Sequence, residues 1–179
     1  IINNFNGLEE NYMRQSMIND IWAEEEEDED TQKDRYLTFR LADEDYALEI
    51  RHVTEIISIQ KITDVPDLPD FVKGVINLRG QVIPTLDLRL RFNLPAKDYD
   101  ERTCVIITRM NDIPVGVIVD TVNEVLDIPE EDLAPPPAVQ KGAAHRVVAG
   151  LGRVGDSVKI ILNAGKMLHG DGLEMLENQ

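Results

Sequence analysis

The sequence predicts an all-β chain folded as two small barrels packed together, with short helices. Three observations carry this reading. Apolar and polar residues alternate at period two through several short runs. Turn-forming residues separate those runs. The apolar spacing of the first half returns in the second. With 179 residues the chain is one domain, or two small ones sharing a core. A chain of this size buries about 70% of its unfolded surface and needs no disulfide or metal staple.

Residues 1–35 read as an acidic N-terminal tail, partly disordered or helical. Residues 1–34 carry 11 acidic and 2 basic side chains, and seven consecutive acids fill 24–30. Their repulsion favours an extended, solvated linker. Ahead of them Met13, Met17 and Ile21 recur at helical spacing, with Tyr12, Ile18 and Trp22 near the same side. That segment reads either as a short helix that folds on docking or as a peptide that recognises another subunit.

The body runs over 36–170, in approximate halves 36–100 and 101–170, followed by a C-terminal tail at 171–179. Leu37, Phe39 and Leu41 alternate with Tyr36, Thr38 and Arg40, which predicts a half-buried strand. Asp43-Glu44-Asp45 supplies a turn, and Tyr46, Leu48 and Ile50 complete a hairpin. Val53, Ile56 and Ile57 shift to a spacing near three, which suits a helical turn or an irregular strand. Val65-Pro66-Asp67-Leu68-Pro69 is a loop, because two prolines deny ladder donors. Val75, Ile76 and Leu78 lead into an Arg79-Gly80 turn and then Val82 and Ile83. Leu86, Leu88, Leu90 and Phe92 close the first half. In the second half 103–108 and 115–119 are strands about a Met110-Asn111-Asp112 turn. Ala134-Pro135-Pro136-Pro137 is a stiff loop, 147–151 and 158–162 are strands, and 165–176 is a terminal helix interrupted by Gly170 and Gly172.

Self-comparison points to a duplication. At an offset of 69, Leu48, Ile50, Val53 and Ile56 fall on Val117, Val119, Val122 and Val125, and Glu55 falls on Glu124. At an offset of 76, Gly74, Val82 and Leu86 meet Gly150, Val158 and Leu162 as identities, and Asp87 meets Asn163. The seven extra residues fit in the Pro-rich loop. Closure of each half into a barrel removes exposed strand edges.

Composition and motifs exclude more chemistry than they suggest. A net charge of −16 with no basic stripe repels nucleic acid and anionic lipid. No apolar run reaches the ~20 residues of a membrane helix, and no secretory signal is recognised, so a cytoplasmic protein is expected. No phosphate-binding glycine motif occurs. His52, His145 and His169 lack metal-ligand spacing, and the single cysteine, Cys104, sits in an apolar strand as an inert thiol. No catalytic residues, no cofactor and no metal are expected.

What remains is a binding module. Its most informative segment is Phe71-Val72-Lys73-Gly74-Val75-Ile76-Asn77-Leu78-Arg79-Gly80, followed by Pro84 and Asp87-Leu88-Arg89. Gly74 and Gly80 permit tight backbone geometry. Arg79 reads both as the partner of a nearby acid and as a guanidinium fork offered to another protein. This segment, with the hairpin before it and Val115-Gly116-Val117-Ile118-Val119-Asp120 after it, resembles the CheW family of bacterial chemotaxis coupling proteins over about residues 35–170.

The resemblance implies two intertwined five-stranded β-barrels, from a tandem duplication with swapped elements. It implies a non-catalytic scaffold that bridges the cytoplasmic tip of chemoreceptors to the regulatory domain of the histidine kinase CheA. Such a protein is cytoplasmic and recruited to membrane-associated receptor arrays. Val53, Cys104, Val105, Val122 and Val125 match positions linked to receptor binding in the family. Arg79 matches the arginine of its Asn-Leu-Arg-Gly motif, Glu55 matches an acid that pairs with it, and Gly74 and Gly80 match turn glycines. Cys104 stands where the family often has a β-branched residue, and the acidic tail is a larger departure. On this reading Val53 and Val122 border the seam between the barrels, a groove suited to an amphipathic helix. If that groove is open, a charge at Val122 spares the fold. Rival readings are an adaptor of a pilus or other chemosensory pathway and, more remotely, a small-ligand-binding or hydrolytic barrel.

Overall fold

The computed structural model describes residues 32–138 and 146–168. The expectations for the Met13–Trp22 segment and the acidic run, for His145 and His169, and for most of the terminal helix fall outside the described residues. Of that helix, the described part holds one 3-10 turn, Ala164–Lys166.

Among the described residues eleven strands form two sheets: β1 (Arg35–Leu41), β2 (Glu44–Glu49), β3 (Val53–Ser58), β4 (Val72–Leu78), β5 (Gln81–Asp87), β6 (Cys104–Met110), β7 (Ile113–Val119), β8 (Thr121–Asp127), β9 (Leu133–Ala134), β10 (Val148–Val154) and β11 (Ser157–Leu162). One sheet runs β8-β1-β2-β11-β10-β9 and the other β3-β6-β7-β5-β4. Both are mixed, with parallel pairs at β2–β11 and β5–β7. The first sheet takes strands from both ends of the chain. The second takes β3 to β5 from the first half and β6 and β7 from the second. The elements are therefore swapped between halves.

The hairpins form where alternation and turn residues predict them. The β1–β2 turn falls at Ala42-Asp43, a residue earlier than expected, with Ala42 at φ 53°. Asp45 is drawn into the ladder opposite Arg40, to which it is ion-paired at 3.0 Å. After Leu86 the chain does not stay extended. It turns into α1 (Leu88–Arg91), where the Asp87 carboxylate accepts from the Leu90 backbone N–H. Ala134 belongs to the short strand β9, which makes one sheet six-stranded instead of five-stranded.

The irregular spacing at Val53 and Ile56 has a direct cause. A 3-10 turn, Ile50–His52, carries the chain between the sheets, and a bulge follows between Val53 and Glu55. The extra residue turns a spacing of two into three while both side chains stay inward. β8 has the same bulge opposite Leu37 and Phe39, so the recurrence of the 2, 3, 3 spacing is geometric.

Strand registers obey the two offsets everywhere but at β9. Leu37 faces Leu48 as Ile106 faces Val117, and Val53 faces Thr108 as Val122 faces Phe39. Ala47 faces Ile161 across one parallel pair as Gly116 faces Thr85 across the other. Even the single bridge Thr63–Val75 has a counterpart in the pairing of Ala134 with Leu151. That match sets an intermediate offset of 71, so the seven extra residues are divided. Two precede the Pro-rich loop and five follow Ala134.

Each sheet is buried on both faces. Leu37, Phe39, Leu48, Val53, Ile106, Val117 and Val122 belong to one large core shared by the two sheets. The opposite face of the second sheet packs Ile76, Ile83, Val105, Ile107 and Ile118. That of the first packs Tyr36, Ala47, Ile128 and Ile161. Two-sided burial explains the nearly continuous apolar run at 104–107.

Gly74 and Gly80 carry different burdens. A Cβ on Gly74 would stand 2.0 Å from the Thr63 carbonyl oxygen, at φ +133°, whereas one on Gly80, at φ +85°, would meet nothing within 4 Å. Gly80→Ala is expected to cost about 1 kcal/mol in backbone strain. Gly74→Ala should cost about 3 kcal/mol or more, because the bridge to Thr63 must also open. Urea titrations of the two variants check this order.

Candidate functional site

Val53 is the first residue of β3 and Val122 the second of β8, the edge strands that begin just after the chain crosses between sheets. They occupy equivalent places and both lie in the shared core, 1% and 4% exposed. Cys104 and Val105 are buried on β6, where adjacent side chains face opposite sides. Cys104 faces the shared core and Val105 the separate core of the second sheet. The Cys104 thiol donates to the Arg102 carbonyl at 3.2 Å. Val125 alone among the five is half-buried, packed at the margin of the shared core. The valines and the cysteine therefore do not line a common open groove, and four of them are closed off from solvent.

Arg79 and Glu55 are brought together. Arg79 and Gly80 form a two-residue turn with φ 50° and 85°. That geometry is unusual for a non-glycine residue and matches the twist of the flanking strands. The Asn77 side chain accepts the Gly80 N–H at 2.8 Å and holds the turn. Arg79 Nη2 then donates to Glu55 Oε1. Glu55 sits at the bulge of β3, and β3 and β4 are the two edges of their sheet. The ion pair thus spans from one edge to the hairpin at the other. Arg79 is 71% exposed, so the pair positions a surface and adds little stability.

Two further polar clusters were not assigned roles from the sequence. Asp120 lies between β7 and β8, where the chain returns to the first sheet. Arg89 grips it with two bonds, Nε to Oδ1 at 2.7 Å and Nη2 to Oδ2 at 2.6 Å, and the Ala42 N–H donates to Oδ2 at 2.9 Å. Beside it the Tyr99 hydroxyl donates to Asp87 at 2.7 Å. Burial and that bond push the phenol well above its ordinary range. Asp45 receives Arg40, Lys159 at 2.5 Å and Asn123 at 3.3 Å, joining β1, β2, β8 and β11. Arg89 and Asp120 stand in the two segments that carry the family resemblance. The signal available was a charged residue held at the end of an apolar run.

These clusters set the acid sensitivity of the fold. Burial opposes ionisation of Asp45, but Lys159 and Arg40 outweigh it and hold its carboxyl below the usual range. Burial acts likewise on Asp120, where Arg89 and the Ala42 N–H prevail. A folded pKa below the unfolded value gives stability that is full above about pH 4 and is lost as pH falls through the folded pKa. Urea midpoints should drop from pH 5 to pH 3, and drop less steeply in Asp45→Asn and Asp120→Asn. Burial of Val122 makes a second outcome testable. Val122→Asp places an unpaired charge in the shared core, so it should destabilise by about 3 kcal/mol or more, seen as a lowered melting temperature without any partner present.

Among the described residues no helix is long and apolar enough to cross a membrane, and no group of three or more His, Cys, Asp or Glu is placed to hold a metal ion. Comparison with known proteins gives a consistent result. A family model described as CheW-like domain matches residues 35–171. The chain is 35% identical over 143 residues to chemotaxis protein CheW of Klebsiella aerogenes, covering 80% of this chain and 86% of that protein. It is 29% identical over 134 residues to protein FrzA of Myxococcus xanthus, covering 74% and 84%. The crystal structure of scaffolding protein TtCheW from Thermoanaerobacter tengcongensis matches with a TM-score of 0.73 at 34% identity, over 78% of this chain and 94% of that one. With sequence and fold in agreement, the chain belongs to the CheW-like family and is a chemotaxis coupling adaptor.

Proposed function

We propose that the chain is a non-catalytic, cytoplasmic adaptor that binds the regulatory domain of the histidine kinase CheA and the cytoplasmic tip of chemoreceptors, and so recruits both to receptor arrays. The observation that carries this reading is the placement of β3 and β8. These repeat-equivalent edge strands rest on one shared core, bulged just past Val53 in one and its counterpart Val122 in the other, with Arg79 and Glu55 on β3's side and Val125 on β8's. The receptor-facing surface is formed by Arg79, Glu55 and Val125, with Val53, Cys104, Val105 and Val122 setting its shape from beneath. An amphipathic helix suits such a surface, its apolar stripe on Val125 and its polar margin near the ion pair.

The mechanism is positional. Receptor and kinase equilibria are coupled when one body binds both and favours one state of each. A fold buried on both faces of both sheets transmits such a bias without rearranging. Similarity to protein FrzA favours a second reading, in which the same adaptor serves another chemosensory pathway.

A phosphotransfer assay tests the proposal. Purified CheA and chemoreceptor membranes should show receptor-dependent kinase activation only when this chain is added. If neither partner binds and kinase activity is unchanged, the adaptor reading for this pathway fails. Binding of the kinase domain without any receptor binding would refute the bridging role.

A further inference from the structure

The repeat leaves one charged side chain without the partner that its twin has. Glu55 and Glu124 stand 69 residues apart in sequence, each in the bulge of an edge strand. The Glu55 carboxylate takes the Arg79 guanidinium and is only 18% exposed. The residue 76 positions after Arg79 is Gly155, followed by Asp156, so the equivalent turn has no cation to offer. Glu124 is exposed, and among the described residues no ion pair or side-chain hydrogen bond engages its carboxylate.

Its backbone, by contrast, is held fast. The buried Thr38 hydroxyl donates to the Glu124 carbonyl at 2.8 Å and accepts from the Glu124 N–H at 3.3 Å. The residue equivalent to Thr38 on β6 is Ile107, which offers no such bonds. The bulge of β8 is therefore pinned by a side chain, which fixes the direction in which the Glu124 side chain leaves the backbone. That carboxylate stands next in sequence to half-buried Val125.

We propose that Glu124 is the acidic contact for an arginine carried by the helical partner that docks on β8, supplied from outside where Arg79 serves Glu55 from within. The proposal rests on the receptor-facing reading of this surface. An arginine fits because the chain itself satisfies the twin carboxylate with a guanidinium fork. In the free protein water solvates Glu124. A helix covering Val125 removes part of that water, so a helix without a cation at its polar margin leaves a partly desolvated charge and is rejected. The net charge of −16 also speeds encounter with a basic partner surface.

The test uses the full chain, a soluble chemoreceptor-tip fragment and the kinase regulatory domain, with Val125→Asp as a marker of the surface. Glu124→Gln should weaken receptor-fragment binding roughly fivefold at low salt, with the deficit shrinking as salt screens the contact. Glu124→Arg should weaken it tenfold or more. Kinase-domain binding and melting temperature should stay at wild-type values in both. Wild-type receptor affinity in both Glu124 variants, beside weakened binding in folded Val125→Asp, overturns the Glu124 assignment and leaves the surface standing. Wild-type affinity in folded Val125→Asp as well sinks the surface and the proposal together. Loss confined to the kinase domain also overturns it.

Discussion

The N-terminal hairpin β1–β2 sits between β8 and β11, and the rest of the structure depends on that insertion. The second sheet is continuous in sequence from β3 to β7. The first is not, since it forms only when the two ends of the chain meet. Its parallel contact joins residues as far apart as Asp45 and Lys159, 114 positions away. Closing so long a loop is entropically costly, and non-local pairing of this kind slows folding. The Asp45 cluster stands at this closure and joins four adjacent strands. The shared core forms at the same time, because its residues come from both sheets. Neither sheet can bury its inner face without the other.

The two crossings between sheets are built differently, although they occupy equivalent places. After β2 the chain crosses through a 3-10 turn anchored by buried Ile50, and Arg51 makes an exposed pair with Glu49 at 2.5 Å. After β7 it crosses at Asp120, the counterpart of Arg51 at an offset of 69. There a bidentate Arg89 and a backbone N–H hold the corner from two directions. Paired carboxylate and guanidinium, shielded to 15% exposure each, make this the firmer corner. The same divergence appears in the ion pairs across the strands. The first sheet keeps the Asp45 cluster. In the second sheet Pro114 takes the place of Asp45, and the Arg79–Glu55 pair appears instead.

A duplicated fold in which charges have diverged while registers have not is well suited to adaptor work. The registers preserve one rigid body. The diverged charges make its two halves chemically unlike, so each can present a different contact. Most of the bonds described lie within the body, and the charged groups turned toward solvent at the bulges include Arg79 over Glu55, and Glu124.

Several features were legible in the sequence because they are local. Period-two alternation marked the hairpins, the Arg79-Gly80 turn followed from its residues, and the offsets of 69 and 76 relate the registers of the two halves except at β9, where the offset is 71. Pairing of Arg79 with Glu55 was implied by the family resemblance. The rest lay beyond local pattern. Alternation says which side chains share a face, but not what covers that face, so Val53, Cys104, Val105 and Val122 read as recognition residues while the shared core buries three of them and the second sheet's separate core buries Val105. Ala134, expected in the Pro-rich loop, pairs in the strand Leu133–Ala134; a strand of two residues carries no period to reveal it. Arg89 and Asp120 are 31 positions apart and meet only because α1 folds back on the corner after β7. The sequence by itself determined the elements, their turns and the repeat, because neighbouring residues set backbone geometry. Only the tertiary structure decided burial and the long-range ion pairs, because both depend on strands brought together from opposite ends of the chain.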